Sequence, residues 1–270
     1  MGDRPPGNSV RPDPASVAPR GRAVIVSGAA GGLGRAVVSH LLARKCRVAA
    51  LDNDFSSWDV APDGDLVTVT VDLRSPGSIS SAVDEAVGRL GGCDSVVAAA
   101  AVVDSVHRAE HVEDADWDLE LEVNLGGSFR LARQAFPHLR DHGDGRVVFV
   151  SSVAATLGQP AQVAYSASKA GLLGLTKTLA SEWAEHHILV NAVVPGMIET
   201  PKVAALPGRL RAALLARTPI GHFATPEEVA GAISFLLSPA ARSMTGATIR
   251  MDGGFSLNGL ALSRGGGPTR

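Results

Sequence analysis

The string "YSASKAG", Tyr165 to Gly171, holds the only tyrosine of a 270-residue chain, with Lys169 four positions further on. At that spacing two side chains project from one face of a helix. A phenol by itself titrates near ~10, too high for a base at neutral pH. A neighbouring ammonium stabilises the phenolate and lowers that value. Ser152 stands thirteen residues before the tyrosine, just past the apolar run "RVVFVS". A hydroxyl and a phenol converging on one oxygen suit reversible alcohol–ketone chemistry. The phenol moves the proton, the serine holds the oxygen, and a nicotinamide takes or gives the hydride. A Tyr-x-x-x-Lys pair alone is more often an exposed helix pair, so its weight depends on what accompanies it.

What accompanies it is "VSGAAGGLG", which follows the first strand pattern and opens the first helix pattern. Gly28, Gly32 and Gly34 therefore fall where backbone passes close to a pyrophosphate, over the positive end of a helix. Asp52 ends the second strand pattern, 18 residues beyond Gly34. A carboxylate there accepts both ribose hydroxyls of an adenosine and repels a 2′-phosphate. No Arg or Lys occupies positions 29–33 or 53–54, so NAD(H) is favoured over NADP(H). Asp72, after the third strand pattern, is placed to meet the adenine amino group.

These residues need a scaffold, and the order of patterns supplies one. From Arg22, short β-branched runs alternate with helical stretches. "RAVIVSG", "RVAALD", "LVTVTVD", "DSVVAAA", "GRVVFVS", "ILVNAVV" and "ATIRMDGG" read as strands. Helices are expected after the glycine turn, from Pro76, from Asp114 unbroken to His142, from Tyr165 to Glu185, and from Pro226 with Thr225 as its N-cap. Continuous apolar strands spaced by helices predict a single α/β domain, a doubly wound parallel sheet of the Rossmann type, over residues 22–256. Residues 1–21 read as a tail without signal-peptide character. Residues 257–270 read as a second tail with a place in a subunit interface.

Composition narrows the class. Apolar residues make up 45% of the chain, and the formal charge of −2 offers no reason to expect nucleic acid or a membrane surface. No apolar run is long enough to span a bilayer. Two cysteines without a CxxC pair, Cys46 and Cys93, read as small buried hydrophobes in a cytoplasmic protein. "HRAEH" at His107 to His111 spells a zinc-protease pattern, but in a loop of a nucleotide-binding fold chance is the better account, and no metal is expected. Trp58, Trp117 and Trp183 read as packing residues.

Several separated motifs in one order, "SGAAGGLG", "VNLGGSF", Ser152, "YSASK", "NAVVPGMIETP" and "GATIRMDGG", make the chain similar to the short-chain dehydrogenase/reductase family over roughly residues 22–255. The resemblance implies Tyr165 as acid/base, Lys169 also on the nicotinamide ribose, Ser152 polarising the carbonyl, and Asn124 holding a water in a proton relay. It implies Pro195, Gly196, Ile198 and Thr200 along the nicotinamide, and Leu33, Leu73 and Ala99 among the cofactor contacts. It also implies a homotetramer or homodimer, built partly through the Tyr–Lys helix. One departure stands out: the family's Asn-Asn-Ala-Gly run after the fourth strand is here "AAAA", Ala98 to Ala101. The expected activity is hydride transfer between NAD(H) and a small secondary alcohol or ketone. A 3-oxoacyl-carrier-protein-type ketoreductase and a catalytically silent NAD(H) sensor or scaffold are the alternatives. Met197 to His222, rich in leucine, is expected to form a helical lid over an apolar pocket.

Overall fold

The computed structural model describes residues 17–58, 64–103 and 106–257. Strands β1 (Ala23–Ser27), β2 (Arg47–Asp52), β3 (Leu66–Thr70), β4 (Ser95–Ala98), β5 (Gly145–Val150), β6 (Ile188–Pro195) and β7 (Thr248–Met251) form one sheet. Its order is β3-β2-β1-β4-β5-β6-β7, and every pairing is parallel. Helices α1 (Gly32–Leu42), α2 (Pro76–Leu90), α3 (Asp114–Leu121), α4 (Ser128–His142), α5 (Ala154–Leu157), α6 (Val163–Trp183), α7 (Pro201–Ala204), α8 (Gly208–Ala216) and α9 (Pro226–Leu237) complete it.

Strand alternation sends side chains to both faces, and both faces are covered. Ile25, Leu51, Val96 and Phe149 meet α2, α4 and α6 in one core. Val24, Val26, Val48 and Val148 meet α1 and α9 in the other. This is why the strands read as unbroken apolar runs. Local chemistry sets the helix ends. Ser75 accepts the Ser78 N–H at the start of α2, and Gly91 closes that helix at φ 69°. Thr225 and Glu228 form a reciprocal capping box on α9, as the sequence leads one to expect.

Two sequence expectations change. The unbroken helix from Asp114 to His142 is split by a π-helical stretch, Glu122–Gly127, between α3 and α4. A π turn widens the backbone locally and marks a functional site more often than chance would. Apolar periodicity cannot register it, because the pattern resumes on the far side. Residues 17–21, assigned to a tail, lie against the domain. Pro19 is buried, its carbonyl accepts from the Cys46 thiol, and the Gly21 N–H donates to Lys45 O. The remainder of both tails, 1–16 and 258–270, lies outside the described residues. Among the described residues, no helix is long and apolar enough to cross a membrane.

At the amino ends of the strands, Arg22 donates to Asp94 at 3.0 Å and to Asp144 at 2.6 Å, while Arg146 meets Asp144 at 2.7 Å. Asp94 also accepts from the Ala23 N–H and the Ser95 hydroxyl. This network ties β1, β4 and β5 together at the edge opposite the one that carries the site.

Candidate active site

The strand order reverses between β1 and β4, and a cleft of about 900 Å³ opens there at the carboxyl edge. The glycine turn forms its floor. Gly28, at φ 70°, sits so close to Ala100 that a Cβ would come within 2.5 Å of its Cα. At Gly34 a Cβ would lie 2.0 Å from the Gly28 carbonyl oxygen. No residue but glycine fits either position. Gly32 and Leu33 line the same turn, and no side chain caps α1. Its first N–H groups and the positive end of the helix are therefore left for an anion. Those features fit the pyrophosphate of a dinucleotide.

Asp52 stands at one end of the cleft. It accepts the Ala30 N–H on one oxygen and the Asn53 N–H on the other, both at 2.8 Å. Asp72, Leu73 and Ala99 also line the wall. Asp72 is gripped by Arg74 through two bonds of 3.1 and 2.9 Å, and that pairing holds its carboxyl below the usual range. The sequence analysis missed Arg74, Asn53, Asp54 and Ser57, all on the cleft wall. Each follows the end of β2 or β3 within a few residues, the one signal that marks them. It also missed Arg35, whose guanidinium lies over the Trp58 ring and bonds Ala30 O and Ser57. Trp58 packs, but it packs as part of this brace.

The "AAAA" run keeps its place without side-chain amides. Ala99 N–H donates to Ser27 O at 3.3 Å, and Ala100 N–H reaches Ser27 Oγ at 3.5 Å. The backbone of β1 thus does part of the bracing.

The chemical end lies where β5 and β6 finish. Ser152 follows β5, and the next N–H, from Val153, donates to Pro195 O at 3.0 Å. Helix α6 brings Tyr165 to the same edge. Burial pushes its phenol above the ordinary value, the Ser152 hydroxyl pulls it down, and the carboxylate of Glu120 pushes it up.

Lys169 sits four residues further along α6. Its Nζ is buried, donates to Val150 O at 2.9 Å and stands 5.7 Å from the Tyr165 ring centre. Burial lowers its own pKa to about 8. Burial is the one cause of that shift, and Lys169 is not among the causes that move the Tyr165 phenol.

Asn124 is fixed through its side-chain amide. Its Oδ1 accepts the Val102 N–H at 2.7 Å. Its Nδ2 donates to Val102 O at 2.8 Å and to Ser168 Oγ at 3.2 Å. Both amide protons are committed, so the side chain clamps the segment after β4 onto α6. The π-helical stretch turns it inward to do so.

Residues 195–200 join the two ends. Pro195 touches the Ser152 loop, while Gly196 N–H donates to Met251 O. Ile198 bridges to Ala224, and Thr200 faces Gly32 across the cleft while capping α7. Thr200 is the member of this run on the cleft wall, which Ser152, Tyr165 and Lys169 do not line. Of the expected lid, α7 and α8 form and bury none of their residues. Arg211 of α8 fastens them to Glu199 at 2.6 Å. "HRAEH" folds as an exposed 3-10 turn closed by an Arg108–Glu110 pair. Among the described residues, no His, Cys, Asp or Glu cluster could hold a metal. Both cysteines are buried and free, with burial raising Cys46 to about 11 and Cys93 to about 12.

Comparison with known proteins agrees with this geometry. Residues 28–256 match the family described as enoyl-(acyl carrier protein) reductase. A cis-4-hydroxycyclohexanecarboxylate dehydrogenase of Sinomonas cyclohexanicum is 37% identical, across 87% of this chain and 96% of that protein. A 3-oxoacyl-acyl-carrier-protein reductase of Thermotoga maritima is 36% identical, across 87% and 97%. The crystal structure of a 3-ketoacyl-(acyl-carrier-protein) reductase from Brucella melitensis complexed with NADH superimposes with a TM-score of 0.83 at 27% identity, covering 89% of this chain and all of that one. Fold, motif order and relatives agree that the chain belongs to the short-chain dehydrogenase/reductase family, oxidoreductases that pass hydride between a nicotinamide cofactor and an alcohol or ketone.

Proposed function

We propose that the protein is an NAD(H)-dependent dehydrogenase or ketoreductase for a compact secondary alcohol or its ketone, with Tyr165 as acid/base and Ser152 holding the substrate oxygen. The observation that carries this is the placement of Ser152, just past β5, and Tyr165, on α6, at the carboxyl edge of the sheet, where Val153 N–H of the serine loop bonds Pro195 O at the start of residues 195–200. A bound nicotinamide supplies or accepts the hydride. In reduction the phenol of Tyr165 delivers its proton to the oxygen that Ser152 orients. In oxidation the phenolate takes it back. Lys169, one turn along the same face, is the donor for the nicotinamide ribose, and Asn124 fixes the wall behind it.

Asp52 supports NAD(H), since a 2′-phosphate would meet its carboxylate. The nearby cation that the sequence left out, Arg35, is tied to Ala30 and Ser57 and so offers that phosphate little. An alicyclic hydroxy acid relative and several acyl-carrier-protein reductases frame the substrate choice; the lid's leucines, Leu210 exposed and Leu206, Leu214 and Leu215 half-buried, favour the compact alicyclic class. The same reading takes the protein as a cytoplasmic homotetramer or homodimer. Phe129, Phe136, Leu173 and Leu175, on α4 and α6, are only partly buried within one chain.

Steady-state rates with NADH and NADPH over a panel of cyclic ketones, aliphatic ketones and 3-oxoacyl thioesters test it. The expected result is turnover of cyclic ketones with a larger kcat/KM for NADH. A larger value for NADPH would reverse the cofactor assignment, and binding without turnover of any ketone would leave only a sensor.

A further inference from the structure

Arg35 lies in the first turn of α1, and its guanidinium reaches two separate stretches of chain. Its Nε donates to Ala30 O at 2.8 Å, and its Nη2 donates to Ser57 O at 2.9 Å and to Ser57 Oγ at 2.6 Å. Its central carbon stands 5.4 Å from the centre of the Trp58 ring. That ring meets Phe55 edge to face, and both rings pack against the core that α1 and α9 share with the sheet. Ala30 belongs to the glycine turn and Ser57 to the loop after β2, and both line the dinucleotide cleft, whereas Arg35 does not. One side chain outside the cleft therefore joins two of its walls. The Ala30 peptide is held from both sides, because its N–H donates to Asp52 Oδ2 at 2.8 Å. The loop's own bonds are local. Asp52 accepts from the Asn53 and Asp54 N–H groups, Asp54 from the N–H and hydroxyl of Ser56, and Phe55 O from the Trp58 N–H. Such bonds shape a loop without setting its distance from the glycine turn. The guanidinium sets that distance.

We propose that Arg35 is a positioning residue for the cofactor: it pins the loop after β2 to the glycine turn, so that the Asp52 end of the cleft is ordered before a dinucleotide enters. This rests on the proposed reading of the cleft as an NAD(H) site. A planar guanidinium can serve two acceptors through different nitrogens and stack on an indole at the same time, a geometry that an ammonium cannot copy. Bonds from a charged donor are also stronger than neutral ones, which suits a half-exposed pin. The benefit is preorganisation. A loop that must be ordered by its ligand subtracts that ordering entropy from the affinity, and a loop already held does not. Asn53, Asp54 and Ser57, all on the cleft wall, are then held in place together. The effect belongs to the adenosine end of the cofactor and to NADH and NADPH alike, since the pin acts on the wall and touches no phosphate.

The test compares Arg35→Met with the conservative Arg35→Lys, first without any ligand. Hydrogen exchange in the cofactor-free protein should show the amides of residues 53–58 exchanging ~10-fold faster in Arg35→Met, with Arg35→Lys in between. Binding comes next, with NADH and with ADP-ribose, which lacks the nicotinamide. Both affinities should fall together by about 5–10-fold in Arg35→Met and recover in part in Arg35→Lys. In turnover the loss should appear in KM for NADH and not in kcat. Unchanged exchange, or faster exchange with unchanged ADP-ribose affinity, would overturn the inference. So would a loss of NADPH affinity much larger than that of NADH, which would make Arg35 a phosphate ligand. If Arg35→Met does not fold, Arg35→Lys and Ser57→Ala, which removes one acceptor from the opposite side, carry the test; smaller shifts in the same direction support the pin and none refutes it. Exchange and ADP-ribose binding need neither a ketone nor a nicotinamide, so this failure is distinct from that of the proposed function, which falls on the wild type's own preference for NADPH or its lack of turnover.

Discussion

Tyr165 and Lys169 share a helix face but answer to different neighbours. Tyr165→Phe removes one oxygen from a partly buried side chain and should leave folding and NAD affinity near normal. Positioned proton transfer is worth ~10²–10⁴-fold, so turnover should fall by about that factor. Lys169→Met should act on the cofactor instead: nicotinamide fluorescence should report weaker NADH binding, with tyrosinate titration little changed. Stability offers a second check. Folding lowers Lys169 to about 8 from its ordinary 10.5. Between about 8 and 10 the unfolded chain holds a proton that the folded one has shed, so stability rises with pH. Denaturant titrations should show that rise in the wild type and a flatter profile in Lys169→Met. An equal slope in both would place the titration elsewhere.

Among the elements, the strand ends carry contrasting duties. The carboxyl ends hold the site with short bonds to backbone, and the amino ends hold the sheet with buried charge. Asp94 accepts from Arg22, Ala23 N–H and Ser95 together. Asp94→Ala leaves the buried Arg22 guanidinium one carboxylate, Asp144, and strands the Ala23 N–H, and a buried donor left without its acceptor costs about 1–3 kcal/mol. Urea denaturation should show that loss, while residual kcat in the folded fraction stays close to wild type. Thr225→Ala removes one half of the capping box on α9 and should cost ~1 kcal/mol. A loss as large as that of Asp94→Ala would mean that α9 depends on its cap more than on Ile233 and Leu237, which are fully buried.

At the scale of the whole molecule, the two faces of α4 and α6 are unequal. Leu172 and Leu179 are buried in the chain's own core, while Leu173 and Leu175 are left partly open beside Phe129 and Phe136. Covering them with a second copy would remove apolar surface from water at about 25 cal/mol per Å². Multi-angle light scattering at micromolar concentration should therefore report a dimer or tetramer. A stable monomer would contradict this. The thiols should be inert in the assembly as in the chain, since Cys46 and Cys93 titrate well above neutral pH.

The sequence by itself determined the sheet, because seven apolar runs between helical patterns have one economical packing. It also determined the glycine turn, Asp52, Ser152, Tyr165 and Lys169, because each stands at a fixed offset from a strand end. Tertiary structure decided what those residues meet. Chain spacing placed Lys169 beside Tyr165, but only packing shows its Nζ turned to Val150 O. Likewise only the π-helical stretch shows both amide protons of Asn124 aimed at Val102 and Ser168. The burial of Glu120 was invisible too, since one glutamate among the acids of "EDADWDLELE" carries no mark of it. Periodicity reports which face an element shows on average. Whether a charge on that face is taken out of water depends on the helix that lands on it, and that is a property of the fold.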